Sequence, residues 1–202
     1  MQSKSLLRRG LWLEYATLGW NVVGTFIILF AAVRTGSAAL AGFGLDSAIE
    51  IFASVVVVWQ LKGLGQNREN VSLKLIGTAF IALAIYVLAQ SGWTLWSHTH
   101  PSPSVLGVAW LAITLAVMLL LAWGKLATGR QLDNSVLMTE ARVTLIDAAL
   151  AAAVLIGIGL NALFGWWWAD PLAGLVIVYY GLIEGRAAWK HATDETHPVS
   201  AA

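Results

Sequence analysis

Three carboxylates lie in stretches of sequence that otherwise hold little that is polar. Asp46 and Glu50 fall in the second long apolar run of the chain, and Asp147 falls in the fifth. Helical positions four apart lie about 40° apart around the axis and about 6 Å along it, so Asp46 and Glu50 can point at one spot. In an up-and-down bundle the fifth run crosses opposite to the second, and Asp147 then matches the other two acids in depth. A single ion between the two helices would reach all three. Divalent cations take several oxygen ligands and offset the mutual repulsion of crowded carboxylates. The structural alternative is a set of protonated acids hydrogen-bonded between helices. Three acids at one depth, two on one helical face, favour function, because each ionisable group in an apolar medium needs a reason to be there.

Further polar residues surround this set. Glu140 precedes Asp147 by seven residues, on nearly the same face but about 10 Å away along the helix, too far to share one ion directly. It reads equally as a ligand on the way in or as an interfacial acid beside Arg142. Glu14 and Asn21 share a face of the first run by the same spacing. Glu14 reads as a gate or a salt-bridged interfacial acid, and the deeper Asn21 as a neutral ligand or an interhelical hydrogen bond. Asp170-Pro171 has the form of a helix start, with aspartate as cap and proline at the first helical position. His98 and His100 read as solvated loop histidines with weak capacity for metal. Small residues gather near the acids, at Ala41, Gly42, Gly44 and Ala151–Ala153, and allow close helix approach. Cysteine is absent, which excludes thiolate sites, and no phosphate loop, nucleophile elbow or zinc-protease motif occurs. Enzymatic chemistry and a resident cofactor are not expected; the metal is substrate.

The elements that must position these residues follow from composition. Of 202 residues 58% are hydrophobic and only 11% charged, against about a quarter charged in soluble domains. Apolar runs at 11–33, 38–61, 71–96, 104–124, 136–164 and 166–189 each meet the roughly 20 residues that cross a bilayer core. The expected fold is therefore an all-α membrane protein of six transmembrane helices in a lipid bilayer. Residues 1–10 form a cytoplasmic N-terminal segment, 11–189 the transmembrane domain and 190–202 a cytoplasmic tail. The assignment of sides comes from charge: Lys4, Arg8, Arg9, Lys62, Arg68, Lys74, Lys125, Arg130, Arg186 and Lys190 fall on one set of connections, and Arg34 alone on the other. Most tryptophans fall near the ends of the runs, where amphipathic rings favour the headgroup zone; Trp20 and Trp110 do not fit that pattern. Gly44–Ala48 and Leu145–Ala149 echo each other weakly, as a 3+3 inverted repeat would require. The net charge of +1 and the lack of a basic face exclude a nucleic-acid partner.

Against this frame the residues resemble the membrane domain of the cation diffusion facilitator (cation efflux) family. Leu40-Ala41-Gly42-Phe43-Gly44-Leu45-Asp46-Ser47-Ala48-Ile49-Glu50 is similar to the helix 2 metal motif of that family, and Asp147 matches its helix 5 aspartate. Gly165–Gly174 resembles its helix 6 opening, and Glu14–Asn21 the first helix of a short branch. The resemblance covers residues 11–189 and implies a divalent cation transporter, with zinc the first expectation and a homodimer the expected assembly. Two features depart from the pattern. Val143 stands where many members carry histidine one turn before the aspartate, which leaves an all-oxygen site and admits manganese, iron or cobalt. Most members also carry a cytoplasmic metal-sensing domain after helix 6, where only a short tail is present here.

The expected function is proton-coupled efflux, because cation binding to carboxylates displaces protons and crowded acids titrate as a set. The rival expectations are a non-transporting metal-binding regulator and a proton-coupled exporter of organic cations.

Overall fold

The computed structural model describes the backbone of residues 2–61, 66–133 and 135–194, and the side chains of 5–6, 8–52, 71, 73–133, 137–138, 141–190 and 192. Six helices follow in order: α1 Gln2–Thr35, α2 Ala38–Leu61, α3 Gln66–Trp96, α4 Val105–Leu132, α5 Ser135–Phe164 and α6 Ala169–Asp194. Among the described residues four segments are long and apolar enough to cross a membrane: Arg8–Thr35, Leu73–Trp96, Val105–Leu132 and Ala141–Phe164. Helices are the one solution available to such segments, since each must satisfy its backbone polar groups internally.

The ends of the helices carry recognisable stop and start chemistry. Gly36 and Gly165 adopt φ of +70° and +68°, and their N–H groups bond back to Ala32 (2.8 Å) and Asn161 (3.0 Å), closing α1 and α5. Ser104 caps α4 by accepting from the N–H of Gly107 at 3.0 Å. Three connections meet at one end of the bundle. Ser102 N–H donates to the Thr35 carbonyl at 3.0 Å, Asn161 Nδ2 to the Pro101 carbonyl at 2.9 Å, and both His98 and His100 lie against the Trp167 ring. The start of α1 and the end of α6 lie at the opposite end, where Gly10 meets Leu137 and Gly77 meets Trp189.

The bundle is apolar both at its centre and on its outer surface. Ile28, Leu40, Val87, Leu111, Val154 and Ile177 form the centre, while Trp12, Phe26, Val33, Trp96, Leu120 and Tyr179 face outward. Such an apolar exterior is stable only in an apolar solvent. Helix α3 lies along α6 and α4 along α5; α1 touches α2 and α4, and α2 reaches α5 and α6. Glycine permits the closest of these approaches. A Cβ on Gly157 would come within 2.4 Å of the Ala173 Cβ, and one on Gly44 within 2.7 Å of Leu29.

Two expectations are corrected. The fourth apolar run ends at residue 124 by composition, which puts Lys125 and Arg130 in a connection; α4 instead continues to Leu132, and Lys125 is a fully buried residue within it. A charge ends an apolar run in sequence but does not end a helix when a partner receives it. Asp170 is expected to cap its own helix, yet α6 begins one residue earlier, at Ala169. The Asp170 carboxylate instead caps α2: Oδ1 accepts from Ala38 N–H at 3.0 Å and Ala39 N–H at 3.5 Å, and Oδ2 accepts from the Ser37 hydroxyl.

Candidate cation site

The interior of the bundle holds a narrow niche that opens beside a wider cavity. The niche, about 10 Å³, is lined by Asn21 of α1, Asp46 and Glu50 of α2, Trp110 and Thr114 of α4, and Asp147 of α5. That volume admits about one water or one dehydrated ion. The wider cavity, about 300 Å³, has Glu14, Asn21, Glu50, Asp147 and Glu184 in its wall. Asn21, Glu50 and Asp147 border both spaces.

Local structure explains how each group arrives there. Asp46 and Glu50 share a face of α2 by their four-residue spacing, and Gly42 and Gly44 one turn earlier let α2 settle against Ile177, Val87 and Leu29. Asn21 donates its amide Nδ2 to Glu50 Oε2 at 3.0 Å, which fixes the second carboxylate against α1. Asp46 is only 3% exposed, and its Oδ1 has no hydrogen-bond partner among the described residues. Burying a carboxylate oxygen without a partner is expensive, and the arrangement is suited to an incoming cation or proton. Asp147 is also buried, across the niche on α5.

Trp20 and Trp110, the tryptophans that do not fit an interfacial position, belong to this interior. Their rings stack at 4.9 Å with an 11° interplanar angle, and Trp20 Nε1 donates to Thr114 Oγ1 at 3.1 Å. Both rings line the niche, and the pair walls it on its α1–α4 side.

Residues 15–195 match the cation efflux transmembrane domain. The chain belongs to the cation efflux family. Membership makes it a membrane protein of the cation-transporting class, and its long apolar helices fit that setting. It is similar to transmembrane protein 163 of Xenopus laevis, at 22% identity over 194 residues, 90% of this chain and 68% of the relative. It is also similar to an uncharacterized transporter, sll1263, of Synechocystis, at 23% identity over 168 residues, 78% of this chain. The chain spans about half the length of that second relative (54%).

The six residues singled out by sequence fare differently. Asp46, Glu50, Asn21 and Asp147 line one niche, and Glu14 lines the cavity beside it. They border the same space without converging on a point: among the described residues no three His, Asp or Glu side chains stand close enough together to hold one metal ion as they are. Gathering around an ion therefore requires side-chain movement within the cavity. The side chain of Glu140 lies outside the described residues. Val143, where many family members carry histidine, lines the wider cavity, so this position faces the space but offers no donor.

Two groups in the site escape a reading by sequence. Glu184 stands near the end of the sixth run beside Arg186, where a solvated acid is the ordinary reading, yet it lines the cavity with Tyr180 one turn earlier. The i, i+4 spacing of Tyr180 and Glu184 was the available signal. The other is Lys125, whose Nζ donates to Glu14 Oε2 at 2.9 Å and to Thr144 Oγ1 at 3.1 Å. Nothing local announces that pairing, because Glu14 is 111 positions away in sequence.

Proposed function

We propose that the protein exports a divalent metal cation in exchange for protons, with both chain ends in the cytoplasm. The observation that carries the reading is the buried Oδ1 of Asp46, without a hydrogen-bond partner among the described residues, in a niche the size of one dehydrated ion, next to a cavity wide enough for a hydrated one. A hydrated ion entering the cavity meets Glu50, Asp147 and Glu184, and exchanges water for carboxylate oxygen as it moves toward Asp46. Divalent ions take such hard oxygen donors, with Asn21 as a neutral addition. Zinc is the family's first candidate, and the absence of a histidine at Val143 brings manganese, iron or cobalt into range. Paired acids on one face of α2 favour a small, highly charged ion over an organic cation.

Proton exchange follows from the same acids. A cation binds carboxylate and not carboxylic acid, so binding releases protons and acid conditions weaken it. With the metal on one side and protons on the other, the acids carry the two alternately. The test uses the purified chain in liposomes with a metal-sensitive dye inside and an imposed pH gradient. Metal uptake driven by the gradient, with protons moving in the opposite direction, is the expected result. Metal binding without flux would favour a regulator, gradient-independent flux a channel, and flux of organic cations alone the third reading.

A further inference from the structure

A fully buried lysine is costly to desolvate, and the transport chemistry above leaves it unused. Lys125 has no exposed surface, and α4 delivers its ammonium to Glu14 on α1 and Thr144 on α5. Thr144 precedes Asp147 by three residues on the same helical face, so the ammonium lies about one turn from the niche. Glu14 is therefore held by one oxygen. Its Oε2 is bound to Lys125, while its Oε1 is buried with no hydrogen-bond partner among the described residues. A carboxylate that only had to be satisfied would be served by a neutral donor, without the desolvation cost of an ammonium. An ionisable group at this depth calls for a role.

We propose that Lys125 is a tethered internal cation that holds Glu14 out of the transported ion's coordination and so determines how tightly the cavity binds. The inference rests on the divalent-cation reading and deepens it. The ammonium acts in two ways: it occupies one oxygen of the only α1 carboxylate in the cavity wall, and its charge opposes a second cation arriving beside it. A cavity with Glu50, Asp147, Glu184 and a freed Glu14 would hold a divalent ion too tightly to release it. With Lys125 in place the ion faces a weaker set of ligands and can leave.

The test measures zinc and manganese binding to the purified full chain by isothermal titration. The variants are Lys125→Gln, Lys125→Arg, and the pair Glu14→Gln with Lys125→Gln, with Asp46→Asn as control. Glutamine keeps a neutral N–H donor on a side chain of similar size but removes the charge. The account expects Lys125→Gln to bind about tenfold tighter or more, Lys125→Arg to remain near wild type, and the double variant to return to within about threefold of wild type. If Lys125→Gln is only marginally folded alone, the metal-induced rise of its thermal midpoint is compared with that of wild type at the same metal concentration, and a larger rise is expected. Unchanged or weaker binding in Lys125→Gln, or tight binding kept by the double variant, overturns the proposal. Loss of binding in Asp46→Asn separates that outcome from failure of the metal site itself.

Discussion

Replacing Asp46 or Asp147 by asparagine is expected to weaken divalent-cation binding at least about a hundredfold in each case, roughly 2.7 kcal/mol. Asparagine keeps the volume of aspartate and one oxygen, so the niche keeps its shape, but the charge that compensates the ion's lost hydration is gone. Charge–charge attraction in a site of low effective dielectric is worth several kcal/mol at contact, enough to dominate the difference. Asp46 has the larger expected effect, because it is the more deeply buried of the two, 3% exposed against 7%. The thermal midpoint without metal should stay near that of wild type or rise, since asparagine cannot ionise in the buried site. Titration calorimetry on both variants checks this. Affinities within threefold of wild type in both would exclude these acids as ligands.

Asp170→Ala is expected to cost about 2–4 kcal/mol of stability while leaving the metal affinity of the folded protein within about twofold of wild type. Asp170 is 1% exposed and accepts from the Ser37 hydroxyl and the first two N–H groups of α2. Removing it leaves those donors buried and unmet, and loosens the joint between α2 and α6. Asp170→Asn should cost less, because the amide oxygen can still accept from the Ala38 N–H. Thermal unfolding in detergent reads both variants. A stable Asp170→Ala that has lost metal binding would move this residue from the scaffold into the site.

The number of helices was legible because each apolar run is long enough to span a bilayer and is bounded by turn residues such as Gly36 and Gly165. The niche was legible for a similar reason: Asp46, Glu50 and Asp147 stand out in sequences that have no other use for charge. What sequence does not carry is the pairing of groups far apart in the chain. Lys125 and Glu14 each look like interfacial charges, and only the packing of α1, α4 and α5 makes them one buried unit. Asp170 shows the same limit, since its motif is a helix start while its carboxylate serves the start of a different helix. Trp20 and Trp110 failed the interfacial pattern because their stacked rings wall the niche instead. The spacing of the three acids suggests that they meet at one ion, and the structure has them bordering one space from two helices, α2 and α5.

The position of the bound ion tests the central claim most directly. Crystals of the full chain grown with manganese or zinc, and measured at the absorption edge of the metal, locate the ion through its anomalous scattering without reference to any ligand assignment. The account predicts a peak between α2 and α5, within coordination distance of Asp46 and Asp147, that disappears in Asp46→Asn. A peak only beside His98 and His100, or none in the bundle interior at saturating metal, would contradict it.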